Sequence, residues 1–234
     1  MPVEATQSAM GAPMANRNFA RLGGICGLLF VLLMVPAYVV GYPDAPPSTS
    51  ALEDLVGYFG SPQGTFVLAN GVLAVFSTFF FLWFLGALHG LIRGAEGEEV
   101  GLSSAALAGG TLFIALSCAG YAAEVLYPAT LMRFEAFGPS VEPAFTSLVL
   151  SSWLYHFCQV GAAVMITATS LAALGRGLLP RWLALVGFAV ALLTLLHFVL
   201  PLVGALAGLL WVALVSGLML VGSGSASSPR RLAR

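Results

Sequence analysis

Apolar residues come along this chain in long, nearly unbroken runs, without the strict alternation of a half-buried strand or the narrow stripe of a surface helix. Six runs approach or exceed the roughly 20 residues a helix needs to cross a bilayer. They are Leu22–Val40, Phe66–Ile92, Leu102–Leu126, Leu148–Leu171, Trp182–Leu200 and Leu202–Val221. The first follows Arg17 and Arg21, as a secretory signal would. Its apolar stretch is longer than the roughly 7–15 residues of such signals, and "GYPDAPP" is a poor cleavage site, so it is read as a retained span. Only "LPLVG" separates the last two runs; Pro201 and Gly204 predict a tight turn there.

Arginine positions decide whether that turn exists. With six spans and an inside N-terminus, Arg17, Arg21, Arg93, Arg176, Arg181, Arg230, Arg231 and Arg234 fall inside and Arg133 alone outside. That is eight against one; five spans would give five against four. The positive-inside rule selects six. The predicted fold is all-α, a six-helix transmembrane bundle forming one membrane domain over residues 17–222, with both termini cytoplasmic. Residues 1–16 and the basic tail 223–234 read as disordered, the tail arginines lying near anionic lipid.

The connections have their own patterns. Ser50 and Glu53 have capping-box spacing, and Leu52, Leu55, Val56 and Phe59 follow at helical intervals. This predicts a short amphipathic helix over 51–60, lying on the outer membrane surface. "PATLMRFEAFGPSVEPAF" reads as an acidic-aromatic outer loop over the bundle mouth, and "RGAEGEE" as a solvated inner turn.

Composition strengthens this picture. The 234 residues are 59% hydrophobic and 8% charged, against about 45–50% and 25% in soluble domains. Mean hydropathy is +0.96. All nine basic residues are arginine and the net charge is −1, which gives no footing for nucleic acid; the bilayer is the expected partner. Cys26, Cys118 and Cys158 each sit alone in an apolar run, which suits small interior residues better than a disulfide or zinc framework. The pairs Gly23/Gly27, Gly86/Gly90 and Gly204/Gly208 have GxxxG spacing and predict close packing inside the bundle.

Polar groups within the apolar runs are the candidates for chemistry. Ser152, Tyr155, His156, Gln159, Ala163, Thr167 and Ser170 recur at steps of three or four, forming one face of the fourth span that should turn inward. Ser117, Tyr121 and Glu124 share a face of the third span, Asn70, Ala74 and Ser77 of the second, and Gly187, Ala191, Thr194 and His197 of the fifth. Counted at about 1.5 Å per residue, Asn70, Glu124 and His197 fall within about one turn of the outer boundary and His156 about two turns down. An outward-opening polar cavity between spans two and five is the expectation, lined by Asn70, Tyr121, Glu124, Tyr155, His156, Gln159 and His197. A carboxylate there is costly enough to make Glu124 the residue to watch; His89, near Arg93, receives no role.

No cofactor or catalytic residue is expected. Haem between His156 and His197, or zinc held by Glu124, His156 and His197, are the alternatives their chemistry allows. No nucleophile elbow or positioned serine base points to a hydrolase, and the two halves share no motif of an inverted-repeat transporter.

Three stretches, "NFARLGGICGLLFVLL", "SALEDLVGYFGSPQG" and "GLLWVALVSGLML", in this order resemble a broad group of uncharacterised bacterial multi-pass membrane proteins. The resemblance covers most of residues 17–222 and implies six helices and a cytoplasmic membrane, but no activity. Three functional classes follow. The first is a non-enzymatic accessory or scaffold subunit, which would have a membrane-protein partner or a second copy of the chain. The second is a small-solute or lipid binding or transport protein using the polar cavity. The third is a haem- or metal-containing membrane protein.

Overall fold

The computed structural model describes residues 5–36, 51–60, 62–96, 101–134 and 139–222. All of its regular structure is helical: α1 Ala5–Pro36, α2 Leu52–Gly60, α3 Pro62–Glu96, α4 Leu102–Arg133, α5 Val141–Arg176, α6 Arg181–Leu195, a 3-10 turn Leu196–Phe198, and α7 Pro201–Gly222. Six of these helices are long and apolar enough to cross a membrane, and only α2 is not among them. The helix α1 begins within the segment read as a disordered tail. Ala5, Ala9, Ala12 and Ala15 are strong helix formers and carry it upstream of Arg17. Residues 37–40 of the first predicted run, Ser50 and the tail 223–234 lie outside the described residues.

Each long helix packs against its neighbour in sequence, and α7 returns to α1, so α1, α3, α4, α5, α6 and α7 close a ring. Phe30, Phe81, Phe84, Leu88, Met165 and Trp211 fill its interior, each less than 2% exposed. The tightest seam is between α4 and α5. A β-carbon on Gly109 would come 2.7 Å from the Gly161 carbonyl oxygen, and one on Gly161 would come 2.5 Å from the Phe113 nitrogen. Backbones approach this closely only where the residues at the crossing are small. Of the GxxxG pairs, Gly23 faces Ala87, Gly27 faces Ser216, and Gly204 faces the Leu193 backbone, whereas Gly90 has nothing within 4 Å. Cys26, Cys118 and Cys158 are free thiols.

Three predicted connections change character. The turn before α7 is the 3-10 segment, and Pro201 opens α7 as its first residue, where its missing N–H is harmless. The expected outer loop is largely helix. α4 continues through Pro128 to Arg133, and α5 starts at Val141 and runs to Arg176, where Gly177 with a φ of 66° terminates it. At 1.5 Å per residue α4 and α5 are about 48 and 54 Å long, well beyond the roughly 30 Å hydrocarbon thickness.

The surplus length supports α2. Leu55 and Phe59 are buried against Tyr127 of α4 and Ala144 of α5, with the Phe59 and Tyr127 rings edge to face at 5.3 Å. The apolar face of α2 is therefore occupied by protein, not by the lipid surface that its amphipathic pattern suggests. Its cap also differs: Asp54, not Glu53, makes the reciprocal bond, accepting from the Ala51 N–H at 3.1 Å.

The α4–α5 seam makes a direct prediction. Gly161→Val should cost about 3 kcal/mol, the upper end of overpacking penalties, because the obstructing atoms are backbone. Gly90→Ala should be neutral or slightly stabilising. Unfolding of both variants in mixed micelles checks the contrast.

Candidate functional site

Beyond the Gly109–Gly161 contact, α4 and α5 remain packed together, and their polar residues meet toward the α2 end. Gly120 opens a notch on α4; a β-carbon there would lie 2.5 Å from Cε1 of Tyr155. The Tyr155 ring fills that notch and meets the Tyr121 ring edge to face at 5.4 Å. Its hydroxyl donates to Glu124 Oε2 at 2.5 Å. Ser147 Oγ donates to the Ala123 carbonyl, tying α5 to α4 one residue from the acid.

Glu124 is half-buried, and among the described residues no cationic side chain faces it. The backbone adds to its acceptor character. Pro128 lies four residues on within α4 and has no N–H, so the Glu124 carbonyl lacks its usual helical donor. One residue thus carries both a carboxylate and a carbonyl without its helical donor.

Tyr121 connects this cluster to the bundle interior, its hydroxyl donating to Met34 Sδ at 3.4 Å. Met34 also lines a cavity of about 30 Å³ between α1, α4, α5 and α7, together with Phe30, Phe113, Gln159 and Leu209. That is room for one or two water molecules. Gln159, 4% exposed, is the one polar side chain in its lining among the described residues, and its Nε2 donates to Cys158 Sγ at 3.6 Å. Gln159 therefore belongs to this apolar cavity and not to a common outer pocket.

The histidines form a separate pair. His156 Nδ1 and His197 Nδ1 are 2.9 Å apart, joining α5 to the 3-10 turn. Trp153 and Phe198 flank His156, with ring centroids at 5.8 and 5.3 Å. His197, expected near the boundary, is 6% exposed and buried by this pairing. The alternatives raised from sequence can be compared with this geometry. Glu124 bonds to Tyr155 and not to the histidines, and no group of three His, Cys, Asp or Glu converges among the described residues. The imidazoles are bonded to each other, not set on opposite faces of a macrocycle as axial haem ligands would be.

The inward faces read from sequence are otherwise partly right. Gly187, Ala191, Thr194 and His197 are all buried, as are Gln159, Ala163 and Ser170, but Ser152 is exposed. Asn70 lies on α3 next to Gly71, which approaches Val125 of α4, so its backbone is level with Glu124; its side chain lies outside the described set.

One functional-looking constellation was missed. Glu96, placed by its sequence in a solvated turn, is 5% exposed. It accepts from the Ser103 N–H at 2.9 Å and from Ser103 Oγ, capping α4 from the end of α3. His89 Nδ1 lies 3.1 Å from the Ser103 carbonyl oxygen. The three residue types are those of a hydrolase, but the serine donates to the acid and the histidine meets backbone. This is a structural clasp. The Leu-Ser-Ser start of the third run, preceded by acids, was the available signal.

Tyr155→Phe should destabilise the protein by about 1–3 kcal/mol, the range for a buried acceptor left without its donor. In a double-mutant cycle with Glu124→Ala, which removes the acceptor, the two costs should not add, and additive costs would mean the bond contributes nothing.

Comparison with protein-family models, curated proteins and solved structures finds no match, so the functional reading rests on the geometry of the chain itself.

Proposed function

We propose that the chain is a six-span protein of a bacterial cytoplasmic membrane, both termini inside, that binds a small cationic solute at its outward, α2-capped end. The observation that carries this reading is Glu124, a carboxylate between two membrane helices, bonded by a tyrosine and, among the described residues, faced by no cation. An accessory or scaffold subunit has no need of such a group, and intramembrane acids mark solute or ion sites by default. The carbonyl released by Pro128 adds a second acceptor, and the Tyr121 and Tyr155 rings supply the aromatic surface that small ammonium ions favour.

Orientation rests on the arginine distribution. Aromatic placement marks the two membrane boundaries without favouring either orientation. Trp153 and Trp182 are both exposed, on α5 and at the start of α6 beside Arg181. Trp153 and Arg176 are separated by about 35 Å along α5, roughly one membrane thickness. Glu124 and Tyr155 then lie close to the outer interface, below the α2 cap, where a solute arrives from water.

Two measurements test the proposal. Thermal unfolding of the purified protein in mild detergent, against millimolar methylammonium, choline and putrescine, should show at least one of them raising the wild-type Tm. Glu124→Gln, which retains an acceptor for Tyr155, should not respond. An unresponsive wild type, or an equal response by the variant, contradicts the proposal. For orientation, single cysteines at the open positions Gly57 and Gly175, in a chain otherwise free of cysteine, should differ in intact cells. Impermeant maleimide should label Gly57→Cys and spare Gly175→Cys; the reverse pattern would invert the topology.

A further inference from the structure

We infer that His156 and His197 form a two-imidazole binding site for a borderline divalent transition-metal ion, Cu²⁺ or Zn²⁺. The inference stands apart from the cation site at Glu124. It begins from the direction of the two rings. His156 is carried by the long, rigid α5 and His197 by the short 3-10 turn between α6 and α7, yet both present the same ring atom, Nδ1, to one point 2.9 Å across. At that separation one ring must donate and the other accept, so a single proton lies between two nitrogens that are both good ligands.

Replacing that proton by an ion requires the nitrogens to separate slightly and each ring to turn so that both lone pairs converge on one point. Zinc–nitrogen bonds of about 2.0–2.1 Å at a tetrahedral angle place the nitrogens about 3.3 Å apart, a few tenths of an ångström beyond the existing gap. The ring that donates shifts its proton from Nδ1 to its own Nε2. Both Nδ1 lone pairs then face the ion, both imidazoles stay neutral, and no proton is lost. No third His, Cys, Asp or Glu converges here among the described residues, so water or a small anion completes the coordination. Two imidazoles and no carboxylate select copper- and zinc-type ions over magnesium or calcium.

Access and surroundings fit an ion. His156 is half-buried one turn from Trp153, which the proposed orientation puts at the outer interface where an ion arrives from water, while His197 is buried and held by its position in the turn. Phe198 and Trp153 surround the pair at ring-contact distance. Trp153, one of four tryptophans in the chain, is close enough to report the ion, because bound Cu²⁺ quenches indole emission nearby.

The test uses the full chain in mild detergent with any affinity tag removed, titrated with CuCl₂ and ZnCl₂. Wild type should bind one equivalent, with Cu²⁺ quenching tryptophan emission and Zn²⁺ competing for the same site. His156→Asn and His197→Asn should each weaken binding at least about tenfold, whereas Glu124→Gln should bind as wild type does even if it has lost its response to amines. Electron paramagnetic resonance of Cu²⁺ on the wild type gives a readout independent of whether the variants fold, and two imidazole nitrogens should couple to the metal. Absence of binding at micromolar ion, full-strength binding by both histidine variants, or coupling to fewer than two nitrogens would each overturn the inference.

Discussion

The backbone contact between Gly109 of α4 and Gly161 of α5 is the constraint on which the rest of the structure depends. Lipid chains are as apolar as leucine, so helices in a membrane gain little by burying leucine and are held by close packing and polar contacts. Where two glycines let backbones touch, the register of the two helices is set to a fraction of a turn. From that crossing, Tyr155 falls into the notch at Gly120, Ser147 reaches the Ala123 carbonyl, and the Ser140 N–H donates to the Tyr127 hydroxyl at 2.9 Å. Each of these contacts lies further along the same seam.

The seam also explains why polar residues near one depth do not form one cavity. Tyr155 and His156 point about 100° apart around α5 and Gln159 lies one turn further along it, so the three meet different partners. Tyr155 goes to α4, His156 to the turn before α7, and Gln159 to the small cavity against α1 and α7. Three separate polar contacts replace the single pocket that a depth argument suggests. Glu124 stands out among them because its own helix frees a second acceptor, through Pro128, at the same position.

Much of this was readable in the sequence. Six apolar runs and the arginine count lead to the bundle, since hydropathy and length are one-dimensional quantities. The buried face of α6 followed from helical periodicity, and the α2 helix from the spacing of its apolar residues, although Asp54 and not Glu53 caps it. The extension of α4 through Pro128 was not readable, because proline and charge argue for a loop when the neighbouring α5 and α2 that support the helix are unseen. Glu96 was missed for a related reason. A glutamate in a glycine-rich turn looks solvated until the helix N-terminus it caps is placed over it. The destination of the α2 apolar face, protein instead of lipid, likewise depended on where Tyr127 and Ala144 sit.

The central claim is the α4–α5 register, and cysteine cross-linking in the native membrane tests it most directly. In a chain whose own three cysteines have been replaced, Ala123→Cys with Ser147→Cys should form a disulfide on mild oxidation. Leu116→Cys with Ser147→Cys, about two turns away along α4, should not. Efficient cross-linking of the offset pair, with none at 123 and 147, would show that the helices meet elsewhere, and the Glu124–Tyr155 site would not exist as described.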